Sequence, residues 1–145
     1  MQWPNHGGGI RNRREVDDEC KISPKTAPKL TKKWTLSTGG EVTTTPAIAG
    51  GVIYFPTWSG ELFAVNEKSG SIIWQKNLTQ LLGVATIYIA RHTPVVNDKY
   101  LLVGSYTPVA RLLALDRKSG DLIWSQMLDA NPLACITMSG TIYKR

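Results

Sequence analysis

Three short polar stretches of this 145-residue sequence, Thr43-Thr44-Thr45-Pro46, Arg91-His92-Thr93-Pro94 and Thr137-Met138-Ser139, open successive copies of an internal repeat, and their side chains are weighed first for chemistry. Arg91 carries a permanent planar charge with five N–H donors, a group suited to gripping a carboxylate. Taken alone it reads as a surface arginine at a strand start, where most arginines sit. Thr45, Thr93 and Ser139 offer hydroxyls, and the same residues suit strand and turn positions with local backbone bonds. His92 reads as an exposed loop histidine, because no carboxylate can be assigned to it as a partner. No general base can be named. Cys20 and Cys135 are too few and too far apart for a zinc site with C-x-x-C spacing or a disulfide framework, and read as two free thiols. Asn77-Leu78-Thr79 fits the N-glycosylation acceptor pattern, which matters only in the secretory pathway.

Composition bounds what these groups can serve. At 42% hydrophobic and 19% charged, the chain has the profile of a folded globular protein. Its net charge of +6 invites a nucleic-acid reading, but residues 1–33 alone hold eight Lys/Arg against four Asp/Glu. There Arg11, Arg13 and Arg14 run straight into Glu15, Asp17, Asp18 and Glu19, the mixture of a solvated surface rather than of a phosphate-tracking groove. Nucleic acid is therefore not an expected partner. No window approaches the roughly 18 consecutive apolar residues of a membrane-spanning helix, so no membrane span is expected. The opening MQWPNHGGGIRNRR has no apolar stretch of the kind an export signal needs. The expected compartment is secreted or periplasmic if a leader has been removed, and cytoplasmic otherwise.

The elements that must position the three stretches follow from internal repetition. LFAVNEKSGSIIWQKNL, starting at Leu62, aligns without a gap on LLALDRKSGDLIWSQML, starting at Leu112, with eight of 17 positions identical. Upstream, Thr45-Pro46 and AIAGGVIYFPTWSGE match Thr93-Pro94 and VVNDKYLLVGSYTPVAR. A trace of a third copy begins at Ile136-Thr137-Met138-Ser139, which echoes Val42-Thr43-Thr44-Thr45. Each unit holds short runs rich in Val, Ile, Tyr, Phe and Trp between turn residues, a strand pattern with no sustained helical period. Gly50-Gly51 predicts a two-residue hairpin between Ala47–Ala49 and a strand from Val52 to Phe55. Asn66 to Gly70 and Asp116 to Gly120 predict equivalent turns, in which the Asn or Asp side chain bonds backbone groups and the glycine takes the left-handed conformation. Four short strands in about 50 residues have the period and content of a propeller blade. The predicted fold is all-β: a lead-in segment over 1–33, then about two four-stranded blades of a β-propeller and the start of a third over 34–145.

The pattern Ala64-x-Asn66-x-Lys68-Ser69-Gly70-x-x-x-Trp74, repeated as Ala114-x-Asp116-x-Lys118-Ser119-Gly120-x-x-x-Trp124, resembles the tryptophan-docking repeat of pyrroloquinoline quinone (PQQ) dehydrogenases. The opening, from Trp3-Pro4-Asn5-His6-Gly7-Gly8 through Asn12-Arg13-Arg14 to Ile22-Ser23-Pro24 and Lys33-Trp34, is similar to the lead-in of quinoprotein alcohol dehydrogenases, nearest to their polyvinyl-alcohol-dehydrogenase-like branch. The resemblance implies an eight-bladed ring of about 400 residues at this repeat length, of which this chain is an N-terminal portion. It implies PQQ and calcium near the ring axis, with an alcohol oxidised by hydride transfer to the quinone. It places Arg91 as the cofactor-binding arginine, with Thr137 and Ser139 as hydroxyl contacts from the next blade. It also places Thr43 at a cofactor-contact position where many members have glutamate, so that contact is replaced by a hydroxyl or lost. Their adjacent-cysteine disulfide is absent, and no residue here matches their catalytic aspartate or calcium ligands.

Two functional readings follow: an N-terminal piece of a PQQ- and calcium-dependent alcohol oxidoreductase, inactive by itself, and a non-enzymatic propeller scaffold for protein binding. The partners expected are the remaining blades or further copies of the chain, with a small alcohol as substrate if the protein is active. Trp74 and Trp124 are expected to be clamped between neighbouring blades, their indole N–H bonded to backbone, and Trp34 to do the same. Because repeat units draw stability from their neighbours, two blades alone are expected to self-associate or fold loosely.

Overall fold

The structure, a computed structural model, describes residues 2–16 and 20–143. It contains two four-stranded antiparallel sheets, each a meander in which strands adjacent in sequence are adjacent in space. The first comprises β1 (Ala47–Ala49), β2 (Val52–Pro56), β3 (Glu61–Asn66) and β4 (Ile72–Asn77). The second comprises β5 (Val95–Val96), β6 (Tyr100–Gly104), β7 (Ala110–Asp116) and β8 (Leu122–Asp129). These are two propeller blades, and the duplicated sequences occupy the same strands in both. The echo of a third unit at 136–143 forms no strand among the described residues. It is tied to the second blade by the Ile136 N–H, which donates to the Ser105 carbonyl at 2.9 Å.

The turn residues act as their chemistry requires. The Asn66 side-chain oxygen accepts from the backbone of Lys68 (2.9 Å) and Ser69 (3.0 Å), and the Asp116 oxygen does the same for Lys118 (2.8 Å) and Ser119 (3.0 Å). Those backbone donors hold the Asp116 carboxyl below its ordinary pKa. The chain leaves β4 in a short helix, α1 (Leu78–Leu82). Asn77 caps it, accepting from Thr79 (3.0 Å) and Gln80 (3.2 Å), while its Nδ2 donates to the Glu61 carboxylate at 2.7 Å. The amide of the candidate glycosylation tripeptide is thus engaged in the fold on both sides, and Leu78 is buried.

Strand periodicity divides each sheet into two apolar faces. On one face of the first blade Tyr54, Leu62, Ala64 and Trp74 pack against Leu101, Val103, Leu113 and Leu115 of the second, forming the main core. The opposite face, Phe55, Phe63 and Val65, is covered by Trp34 and Leu36. On the second blade the positions equivalent to Tyr54 and Trp74 are Leu102 and Trp124, and this face meets no further sheet among the described residues. Trp124 is accordingly 44% exposed, against 8% for Trp74.

Each docked tryptophan lies over a glycine turn of the next unit and donates its indole N–H to a carbonyl there. Trp74 bonds Arg117 O at 3.2 Å, and Trp34 bonds the equivalent Glu67 O at 3.1 Å. Trp34 therefore docks as expected, although from an irregular segment rather than from a strand. Arg117 adds a clamp: its guanidinium donates to Tyr54 Oη (3.1 Å), Ala49 O (3.2 Å) and Asn97 O (3.0 Å), stitching the two blades together. Burial pushes the Tyr54 hydroxyl above its ordinary pKa, partly offset by Arg117. Lys76 and Asp121 form an exposed ion pair across the same seam at 2.8 Å.

The lead-in is woven into the blades. Trp3 exchanges two backbone hydrogen bonds of 2.7 Å with Ile48 on the innermost strand of the first blade, and Pro4 O accepts from Val96 N of the second at 3.0 Å.

In the 145-residue chain, Trp74→Ala is expected to cost about 3–5 kcal/mol, since a buried indole and its hydrogen bond are both lost. Trp124→Ala is expected to cost about 1 kcal/mol or less, as for an exposed residue without a partner. Denaturant unfolding of the two variants measures the contrast, and equal losses would contradict the docking asymmetry.

Candidate functional site

The two Thr-Pro pairs set where the inner strands begin. Proline lacks an N–H and does not join a ladder from within, so β1 and β5 start immediately after Pro46 and Pro94, and Arg91 precedes its strand rather than standing at the strand start. Thr43 and Arg91 therefore sit on the run-in loops, at the same end of the two blades, and Thr137 sits in the irregular third stretch.

These loops and the lead-in enclose an open cleft of about 680 Å³. Thr43, Arg91, Thr137 and Ser139 all line it, together with Thr45, Thr93, Asn5, His6 and Arg14. The structure thus brings all four nominated residues to one place, from two blades and the stretch that follows. Asn5 helps to shape the cleft: its Oδ1 accepts from Gly7 N (3.1 Å) and Gly9 N (3.0 Å), and its Nδ2 donates to Thr141 Oγ1 (2.6 Å). His6 joins the first unit to the third stretch, with Nδ1 3.1 Å from Thr45 Oγ1 and its backbone N–H 3.4 Å from Ser139 Oγ.

The hydroxyls are not equivalent. Ser139 Oγ donates its proton to Thr93 O at 2.9 Å, so it fastens the third stretch to the second blade. Thr43 Oγ1 accepts from the Trp58 indole N–H at 2.8 Å, which leaves its own proton for another partner. Thr137 is exposed at the rim. The Arg91 guanidinium lies over two aromatic rings, 5.1 Å from the Trp58 centroid and 4.9 Å from that of Tyr106. Neither ring was singled out by the sequence reading. The signal was present, since Trp58 and Tyr106 are separated by the same 48 residues as Thr43 and Arg91.

His92 corrects the expectation of an exposed loop histidine. It is 5% exposed, with Nε2 accepting from the Gly104 N–H and Nδ1 2.9 Å from Thr93 O, which assigns the proton to Nδ1. The reason is local. Gly104 stands where the first blade has Pro56, which has no N–H, so only the second blade needs an acceptor here. Desolvation pushes the imidazole below its ordinary pKa and keeps it neutral, so it is a structural group rather than a base.

No carboxylate lines the cleft among the described residues, while two arginines do. Such a lining suits an anion. It does not suit a hard divalent cation, which requires several oxygen ligands and usually carboxylates, and no cluster of three or more His, Cys, Asp or Glu side chains occurs among the described residues. No helix among them is long and apolar enough to cross a membrane.

Two meander blades joined by tryptophans docked on glycine turns define a propeller built from PQQ-type repeats. Residues 14–87, just over half of the chain, match the PQQ-repeat family described as "Outer membrane protein assembly factor BamB", and the chain belongs to that family. It is 24% identical over 144 residues to a polyvinylalcohol dehydrogenase of Pseudomonas sp, covering 99% of this chain and 22% of that protein. It is 34% identical over 102 residues to BamB of Moranella endobia (strain PCIT), covering 65% and 26% respectively. The crystal structure of BamB from Moraxella catarrhalis superposes with a TM-score of 0.53 at 22% identity, over 66% of this chain and 26% of that one, a likeness of fold. The chain spans about a quarter of the length of these relatives.

The His92 environment has a pH signature. Its folded-state pKa lies below the unfolded value of 6.5, so the unfolded chain takes up a proton that the native state refuses. The stability it contributes is whole above pH 6.5 and is lost as the pH falls from there toward the depressed folded value. His92→Gln is expected to lower the denaturant midpoint at pH 7.5 and to flatten its dependence between pH 7.5 and 5.5. Parallel profiles for wild type and variant would contradict the buried neutral imidazole.

Proposed function

We propose that this chain supplies the anion-gripping arc of a PQQ site in a quinoprotein-type alcohol oxidoreductase. The observation that carries this reading is the cleft itself: an exposed guanidinium resting on two aromatic rings and a set of hydroxyls, with no competing carboxylate among the described lining residues. PQQ is a planar tricarboxylate, and bidentate pairing with a guanidinium is the strong way to hold such a group. Arg91 takes a carboxylate or quinone oxygen of the cofactor, Thr43 donates its free hydroxyl proton, and Thr137 closes the rim. Ser139 acts one step back, by tying the third stretch to Thr93 O. When bound, the quinone supplies the hydride acceptor for an alcohol, and these residues orient it and limit its contact with water. The calcium of the family does not fit this donor set, so none of the described lining residues is assigned to it, and none is assigned as catalytic base.

A second reading, a propeller arc that binds other proteins, is favoured by the family match over residues 14–87 and by the identity to BamB of Moranella endobia. Calorimetric titration with PQQ separates the two. The enzyme reading expects saturable binding that Arg91→Ala weakens about tenfold or more, the scale of one lost charge-assisted bond. No binding by the unaltered protein, or equal affinity in the Arg91→Ala variant, would overturn it in favour of the scaffold.

A further inference from the structure

Arginine can be held in a site by a carboxylate or by flat rings, and the two choices leave different chemistry behind. An ion pair occupies the N–H edges and neutralises the charge. Stacking on aromatic faces restrains the guanidinium through its π-face and leaves the edge donors free. Arg91 has no carboxylate partner among the described residues and rests against rings instead. Its Cζ lies 5.1 Å and 4.9 Å from the centroids of Trp58 and Tyr106, and those rings meet at 67° with centroids 5.7 Å apart. None of its N–H groups has a hydrogen-bond partner among the described residues.

Both rings are anchored. Trp58 donates its backbone N–H to Glu41 O at 3.0 Å and its indole N–H to Thr43 Oγ1 at 2.8 Å, and Tyr106 N–H donates to Ile89 O at 2.8 Å. One ring comes from each blade, at equivalent positions two residues beyond β2 and β6. The seam between the blades therefore fixes an angled aromatic corner, and Arg91 rests in it facing the cleft.

We infer that Trp58 and Tyr106 are positioning residues that hold Arg91 by cation–π contact, so that its unpaired N–H donors are presented to a planar carboxylate ligand. The inference rests on the cofactor reading above for the identity of that ligand, but the aromatic corner itself does not.

The test has two arms. In the ligand-free protein, the Arg91 Cδ protons are expected to show an upfield ring-current shift in the NMR spectrum. That shift should fall in Trp58→Leu, fall again in Trp58→Leu/Tyr106→Leu, and survive in Trp58→Phe. Random-coil positions in the unaltered protein would overturn the inference whatever the ligand proves to be. In the second arm, PQQ affinity is measured for Arg91→Ala, Trp58→Leu, their combination, and Trp58→Phe. Trp58→Leu is expected to weaken binding about two- to fivefold when Arg91 is present and to have no effect when Arg91 is alanine, with Trp58→Phe close to wild type. A merely structural tryptophan would weaken binding equally in both backgrounds, and that result overturns the inference while leaving the cofactor reading intact. If Arg91→Ala leaves PQQ affinity unchanged, the cofactor reading falls, and the ring-current arm alone decides the aromatic corner.

Discussion

The contact on which the rest depends is an indole laid flat on a glycine turn of the next unit. A Cβ at Gly120 would come within 2.8 Å of the Trp74 ring, and one at Gly70 within 2.6 Å of Trp34, so both turns must be glycine for the rings to dock. Gly70 and Gly120 also have φ of +74°, which other residues rarely adopt. One residue type therefore satisfies two demands at once, tight reversal of the chain and room for the neighbour. The same docking fixes the distance and rotation between blades, and through them the relative placement of the inner run-in loops.

The cleft follows from that registration. Thr43 and Arg91 occupy equivalent positions on consecutive units and come together only because the sheets are held side by side. Trp58 and Tyr106 meet for the same reason, one from each blade, and the Arg117 clamp to Tyr54 and Ala49 locks the seam toward the other end of the strands. The lead-in closes one side, with Trp3 and Pro4 bonded to the inner strands of both blades. A site built in this way belongs to no single repeat, and its chemistry depends on inter-blade packing as much as on the lining side chains.

Features that repeat were legible in the sequence. The duplicated stretches at Leu62 and Leu112 gave the outer hairpins, Gly50-Gly51 gave the inner turn of the first blade, and Asn66 and Asp116 bond their turns as their side chains dictate. The nominated residues Thr43, Arg91, Thr137 and Ser139 share a cleft because equivalent positions in stacked units face the same centre. What the sequence concealed depends on a single partner elsewhere in the chain. His92 is buried because Gly104, unlike Pro56, has an N–H to satisfy. Helix α1 forms because Asn77 caps it, and a helix of five residues leaves no periodic trace. The apolar-and-charged look of Arg117 gave no hint that its three bonds would all cross or border a seam, since that requires knowing which faces meet.

Hydrogen exchange at the five indole N–H groups tests the central claim most directly, because each docking contact ends in an indole-to-carbonyl bond. Trp34 and Trp74 are expected to exchange slowly and together, while Trp124, exposed and without an acceptor among the described residues, exchanges at the rate of a free indole. Rapid exchange at Trp74, or protection of Trp124 equal to that of Trp74 in the isolated chain, would contradict the stacking of blades through tryptophan and glycine.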